Sequence, residues 1–576
     1  MLNIRRFILH NFIFIYLLIC LLGVGDNCAV AGPHYSSQES KYKSCTVTIG
    51  SQEQFDAICS LIDGKVEQGY KRITVQLEKN EYLYKDRHLT FNGKDYSDVT
   101  IIIKGNESKV IASIDNNTYE YWTPVYYVDS LIEVTDLDKK MCVAKCAEIK
   151  KNAYEATSES YIKVTQWYHS KNYKIARIEG DRISFVADDL RKTRDNYSIN
   201  YDYYWHKMMP RLRLCNVESR SSKINRYTKT PNYSSGCFLS IGNTLLNSLI
   251  IENISFLGNN SNSNLFSVSE SSFHEDFIVR HCSFSSMRGG LLYFKSTDNI
   301  VISNNSFTDI YNSNYKFLIF SDKNCKSITI ERNLFNRCGL SLNYSICVFC
   351  EGGNYIIRDN TFVDFGYCAI RCGLYYQDVQ GLSSRGVVEH NVIYNTKDYL
   401  LNISQYGLID GGAIYIATKN DNLIVQYNYI HDISGAGSNR GIYCDDGAKN
   451  FCLYGNIILN IQNSRCVDAR LDNALERFDK TQVANINKVM NFNIIDGGIK
   501  FEGKPSMPNG CVKGVTYVSN KDKTPTYDIS NVTEIDGNIS IKIQKVKNKK
   551  IIVDRNSYKL LRQSPAFEGM KRYVSM

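Results

Sequence analysis

Between residues 249 and 495 the chain repeats one short pattern of apolar and polar positions. In order the segments read IIENISF, FIVRHCSF, VISNNSF, TIERNLF, IIRDNTF, VVEHNVI, IVQYNYI and FCLYGNII, with a weaker ninth in NKVMNFNII. From the third onward one polar column holds Asn305, Asn333, Asn360, Asn391, Asn428, Asn456 and Asn493, at spacings of 28, 27, 31, 37, 28 and 37 residues. Such a period is one coil of a solenoid, lengthened in places by loops. An asparagine at a bend can bond to backbone groups and to its counterpart one coil away, while the flanking apolar residues turn inward. A β-sandwich would not keep an Asn-x-Phe/Ile register through unequal insertions. The pattern therefore predicts an all-β chain wound as a parallel β-helix solenoid.

The remaining segments fit around that body. Residues 45–112 open with the strand TVTI, an amphipathic helix over about 52–67 (Phe55, Ile58, Leu61 and Ile62 on one face) and further strands. An open solenoid end exposes its core, so this segment is expected to be an N-terminal capping helix with the first coils. Residues 113–235 break the repeat, are dense in tyrosine and contain all three tryptophans, Trp122, Trp167 and Trp205. They are expected to form an inserted, aromatic-rich β lobe, whose rings serve either as a carbohydrate platform or as the lobe's own core. The repeats proper occupy 236–500, and 501–576 supply C-terminal coils and a cap. Residues 1–31 read as a signal peptide: Arg5 and Arg6 precede an apolar run, and Ala29-Val30-Ala31 offers a cleavage site. The expected location is secreted, periplasmic or cell-surface, with no membrane contact after cleavage.

A second strand follows each asparagine bend, in GLLYFK, KFLIFS, SICVFCE, CAIRCG, GAIYIA, GIYCDD and CVDAR. Taking Leu292, Leu318, Val348, Ile370, Ile414, Ile442 and Val467 as inward, alternation makes Phe294, Phe320, Cys350, Cys372, Ile416, Cys444 and Ala469 inward as well. Two outward columns are left. One holds Tyr293, Ile319, Phe349, Arg371, Tyr415, Tyr443 and Asp468, and the other Lys295, Ser321, Glu351, Gly373, Ala417, Asp445 and Arg470. Arg371, Tyr415, Tyr443, Asp445 and Asp468 are thus expected to form one exposed patch suited to a sugar chain. Asp445 and Asp468, one coil apart and two residues out of line, would lie roughly 8 Å apart. That separation suits the two carboxyl groups of glycoside hydrolysis. Asp446 and Asp410 are the alternative members of the pair, and Glu351 is too many coils away to share a bond with Asp445. His431 replaces Thr, Asn, Val, Tyr or Leu in its column and is a further sugar-binding candidate, whereas Asp432 lies in series with Asp309, Arg337, Asp364, Asn395, Asn460 and Asp496 and reads as a turn residue.

Charge and cysteine content narrow the chemistry. A net charge of +9 is spread over 68 basic and 59 acidic residues, with no basic stripe, so nucleic acid is not an expected partner. Of 19 cysteines two fall in the signal segment. The spacings Cys142-x3-Cys146 and Cys368-x3-Cys372 and the pair Cys347/Cys350 lack a matching partner set for zinc. Packed thiols with a few disulfides are expected, with Cys350 and Cys372 inward in adjacent coils and no metal or other cofactor bound.

The run GGAIY, NYIHDISG, GIYCDDG and GN, together with the closing phrase YKLLRQSPAFEGM, resembles the right-handed parallel β-helix, pectin-lyase-like group of exported polysaccharide-active proteins. The resemblance covers roughly residues 45–570. It implies a polysaccharide or oligosaccharide partner and an architecture shared by several chemistries. Signatures of pectate lyases and of polygalacturonases are both lacking, so neither activity transfers. The expected function is hydrolysis of glycosidic bonds by paired carboxyl groups. The alternatives are a polysaccharide lyase, working through Arg371, Lys419 or Arg440 with calcium as its cation, and a non-catalytic glycan-binding surface protein.

Overall fold

The strands are short because each coil must turn three times. One coil runs through Ile300–Ser303, Ser306–Ile310 and Phe317–Ser321, and the next through Ile328–Glu331, Leu334–Cys338 and Ile346–Cys350. All three positions pair in parallel with the following coil, so Ile302 faces Ile330, Phe307 faces Phe335 and Ile319 faces Val348. The third strands build a 12-stranded parallel sheet from Leu89–Thr90 to Tyr527–Ser530. The first two sets join in a 25-stranded sheet bent at the asparagine column. A computed structural model describes residues 42–127, 132–136, 138–145, 161–166, 169–188, 191–192, 197–198, 221–233, 236–259, 263–287, 289–310, 317–339, 345–373, 385–396, 411–417, 423–433, 440–445, 448, 451–461 and 465–469, and then short strands as far as Val574–Ser575. Residues 1–31, expected to be a signal peptide, together with Asn493, Asp410, Asp446, Lys419, Arg470, Trp167, Trp205 and the phrase YKLLRQSPAFEGM, lie outside the described residues.

The bend between the first two strands has a simple chemistry. The residues just before the column, Asn304, Arg332, Asp359, His390, Tyr427 and Gly455, all take φ between 53° and 60°. That left-handed conformation reverses the chain and turns the next side chain inward. Each buried asparagine is then fully used. Asn391 donates from Nδ2 to Oδ1 of Asn428 (2.9 Å) and to the Ile357 carbonyl (2.9 Å), while its own Oδ1 accepts from the backbone N–H (3.1 Å) and Nδ2 (3.0 Å) of Asn360. The same bonds recur from Asn305 to Asn456. Beside this ladder Phe256, Phe284, Phe307, Phe335 and Phe362 stack face to face, with centroids 4.5–5.2 Å apart. The row then continues as Ile393, Ile430 and Ile458.

The expected cap is present in two pieces, Gln52–Asp56 and Ile58–Glu67, the first opened by a capping box of Ser51 and Gln54. Phe55, Ile58 and Ile62 are buried in the main core, and Phe55 stacks on Tyr82 at 4.7 Å and His88 at 4.3 Å. The chain between Ile114 and Tyr233 contributes a seven-stranded antiparallel sheet, the inserted lobe. Cys511 aside, the cysteines among the described residues are free thiols, where a few disulfides were expected. Most fill inward positions as small apolar groups. Cys350 and Cys372 do sit opposite each other in adjacent coils, fully buried, and burial pushes the Cys372 thiol up to about 12.

Candidate functional site on the outer face of the third strands

One coil departs from the expected alternation. Leu292 pairs with Ile319 rather than Leu318, and Ile319 with Val348. Leu291, Leu292, Leu318 and Ile319 all end in the main core, so hydrophobicity did not fix the register in KFLIFS. The correction moves Ser321 and Ile319 inward. It moves Phe320 and Asp322 outward.

The first outward column is therefore Ser240, Ser267, Tyr293, Phe320, Phe349, Arg371, Tyr415, Tyr443 and Asp468. The second is Gly242, Ser269, Lys295, Asp322, Glu351, Gly373, Ala417 and Asp445, read from the register and from the coil-to-coil backbone bonds at Asp322, Glu351, Gly373, Ala417 and Asp445.

The expected patch does come together, but it is not exposed. Asp445 is 5 % exposed, Arg371 6 %, Tyr443 1 %, and Tyr415 and Asp468 are fully buried. Tyr415 and Tyr443 belong to a second small core in which Phe320, Ile346, Phe349, Tyr367, Cys368, Tyr415, Ala417 and Tyr443 pack together apart from the solenoid interior. The strands ICVFC, CAIRC, GAIYI and RGIYC are buried at every position. Continuous apolar runs of this kind mark strands covered on both faces, and that was the signal against an exposed wall.

Beside this second core Asp445 and Asp468 each have polar partners. Tyr415 donates its hydroxyl to Asp445 Oδ2 at 2.6 Å. Asp468 Oδ2 accepts from Nε of Arg440 (2.9 Å) and NH1 of Arg465 (3.2 Å), and the Arg440 side chain is only 4 % exposed. The Arg440 guanidinium lies 3.8 Å from the Tyr443 ring centre, and that of Arg371 lies 4.6 Å from Phe349 and 5.5 Å from Tyr415.

The accessible part of the face lies in earlier coils. Tyr293 is half-buried and stacks on Phe320 at 4.9 Å, Lys295 is exposed, and Glu351 is half-buried. Burial, reinforced by the neighbouring Asp322 and opposed by Arg371, holds the Glu351 carboxyl above the usual glutamate value. Asp322 is itself buried, at 7 % exposure, and is held by its own turn. Its Oδ1 accepts from the N–H groups of Ser296 (2.9 Å) and Asn324 (3.0 Å) and from Cys325 Sγ (3.4 Å), and its Oδ2 from Asn324 Nδ2 (3.3 Å). Asp322 escaped the sequence reading through the one-residue slip, although the D after KFLIFS would have entered the Lys295/Glu351 column under the other alternation.

His431 lies elsewhere, on the strand Tyr429–Ile433. Its Nδ1 is 2.7 Å from Asp432 Oδ2, and its ring stacks on Tyr394 (4.7 Å) and Tyr429 (4.3 Å). Asp432 has φ 52°, like Asp309, Arg337, Asp364 and Asn460 at the equivalent turns. The His431 hydrogen bond lowers its pKa. Among the described residues no three His, Cys, Asp or Glu side chains converge as metal ligands would.

A family model described as "Right handed beta helix region" matches residues 267–473. No curated protein sequence matches the chain. Among solved structures it is similar to one titled "Glycoside hydrolase", at 8% identity over 76% of this chain and 99% of that one, with a TM-score of 0.31. It is also similar to the "Siphovirus 9NA tailspike receptor binding domain" (11% identity, 89% and 80% covered, TM-score 0.24) and to the "tailspike protein gp49 from Pseudomonas phage LKA1" (10%, 82% and 74%, 0.20). The parallel registers, the asparagine column and the matched family model agree on the fold: the chain winds as a parallel β-helix, and its residues 267–473 match the right-handed β-helix model.

Proposed function

We propose that the protein hydrolyses glycosidic bonds of a polysaccharide laid along the outer face of the third strands, with Glu351 as proton donor and Asp322 as the partner carboxylate. The observation that carries this reading is a pair of carboxyl groups on neighbouring coils in contrasting environments. Glu351 is partly desolvated with its pKa raised, and Asp322 faces several hydrogen-bond donors. Contrasting environments of this kind divide acid from base. Backbones ~4.8 Å apart suit the short carboxyl separation of about 5–5.5 Å used in retaining hydrolysis. Glu351 would protonate the leaving oxygen while Asp322 attacks the anomeric carbon. Water, deprotonated by Glu351, would then release the sugar. Tyr293 and Phe320 supply apolar surface to the ring beside them.

Asp445 with Asp468, Asp410 or Asp446 is the competing assignment. Burial does not divide the two pairs, since Asp322 is 7 % exposed and Asp445 5 %, but the two arginines held by Asp468 and the Tyr415 hydroxyl held by Asp445 disfavour the alternative. Those same contacts disfavour Arg440 as a lyase base. Incubation with a glycan panel, read by reducing ends and ultraviolet absorbance, tests the reading. New reducing ends without an absorbing double bond are expected, and Glu351→Gln should lower turnover by about 10²–10⁴-fold. Loss in Asp445→Asn alone, with folding intact, would move the acid to the buried pair. An absorbing product would make the protein a lyase. Binding with no product would leave a glycan-binding surface.

A further inference from the structure

At its N-terminal end the outer face opens into a cavity of about 510 Å³, lined by Arg87, Asn92, Ser240, Ser267 and Ser269 with Gly242 on its floor. Its walls include the first members of the two outward columns, so Tyr293 and Lys295 stand one coil beyond it, with Asp322 and Glu351 further along the same face. Small side chains make the concavity. A Cβ on Gly242 would come within 3.3 Å of Asn92 Oδ1 and 3.6 Å of Ser269 Oγ.

The polar groups here are uncommitted. Elsewhere in the solenoid small hydroxyls are spent on the fold: Ser108 and Ser271 bond to carbonyls, Thr244 and Thr297 do the same, and Ser283 bonds to Ser255. Among the described residues, the hydroxyls of Ser240, Ser267 and Ser269 and the amide of Asn92 have no hydrogen-bond partner in the protein, and neither Arg87 nor Lys295 has an ion pair. Arg87 is exposed, but the backbone that carries it is fixed. It holds φ 53°, donates its N–H to the Cys237 carbonyl at 2.6 Å, and follows Asp86, whose Oδ1 accepts from Gly236 N (2.8 Å) and Cys237 N (2.9 Å).

We propose that this cavity is a binding subsite for a carboxylate-bearing sugar unit, which makes the ligand an acidic polysaccharide. Three hydroxyls and an amide offer both donors and acceptors, which suits ring hydroxyls. A guanidinium at the cavity and an ammonium one coil on suit a carboxylate. A neutral sugar would leave both cations unused, and a simple anion would leave the hydroxyls unused. The subsite rests on the glycan reading above, and the alignment with Tyr293 and Glu351 places the acidic unit a few coils from the proposed bond cleavage.

The test is binding of a mannuronate tetramer and of its neutral methyl ester to the full chain, measured by calorimetry for the wild type, Arg87→Ala and Ser267→Trp. The acid should bind at least about tenfold more tightly than the ester. Arg87→Ala should remove most of that difference, and Ser267→Trp, which fills the cavity without removing charge, should abolish binding of both. Equal affinity for acid and ester, or wild-type binding in Arg87→Ala and Ser267→Trp with unchanged melting temperatures, would overturn the subsite. Absence of cleavage with this binding pattern intact would overturn only the hydrolase reading, and cleavage of neutral glycans without it would overturn only the subsite.

Discussion

Asp468 has no exposed surface and binds two guanidinium groups, one of them on the nearly inaccessible Arg440. Removing one partner of a buried pair strands the other charge in a poorly polarisable site, a larger effect than the net worth of the pair. Asp468→Ala should therefore lower stability by about 3–5 kcal/mol in urea denaturation followed by circular dichroism, and a change below about 1 kcal/mol would mean that Arg440 reaches water. Glu351 differs because its carboxyl is half-buried and titrates above the ordinary 4.5. The folded state thus binds that proton more tightly than the unfolded chain does. Its contribution to stability is complete below the ordinary value and is lost as pH rises through the raised one. Hydrolysis, which needs the protonated acid, should fall on the same limb. A pH series comparing the wild type with Glu351→Gln checks both, since the variant should show neither limb in this range.

At the scale of the repeated strand and bend, the ladder gives Asn391 four bonds, two made by Oδ1 and two by Nδ2. Asn391→Ala leaves buried partners in both neighbouring coils unsatisfied, and a loss of about 1–3 kcal/mol in chemical denaturation is expected. The bend was legible in sequence because it demands a rare residue. The left-handed position varies through Asn, Arg, Asp, His, Tyr and Gly, but the buried amide that follows it is asparagine in every one of these coils. The third strand was less legible because its constraint is weaker. Both phases of KFLIFS present apolar side chains to a core, so only pairing with Val348 and its neighbours decides that Asp322, and not Ser321, stands beside Glu351. The same ambiguity hid the burial of Asp445 and Asp468. Outward orientation follows from alternation, but exposure depends on what packs over the strand. A run such as CAIRC reports that only through its lack of polar positions.

Across the whole solenoid, contacts run from coil to coil, so stability is a sum of coils and of the interfaces between them. The outer face changes character along that axis. LSIG alternates buried with half-buried positions, whereas GAIYI is buried throughout. The early coils thus offer a wet, polar surface, and the later ones are tied together by a second core outside the first. A defect in one coil should spread only as far as the interfaces it weakens. Asn391→Ala disturbs a ladder shared directly with Asn360 and Asn428. Faster amide exchange is therefore expected in Gly386–Glu389, Val392–Tyr394 and the strands paired with them, Tyr355–Arg358, Thr361–Phe365, Leu423–Gln426 and Tyr429–Ile433. Exchange in Arg72–Leu77 and in the helix Ile58–Glu67, many coils away, should match the wild type. Hydrogen exchange read by mass spectrometry on the intact chain decides the matter. A uniform increase at every strand would mean that the solenoid opens as a single cooperative unit, and the coil-by-coil description of its stability would then be wrong.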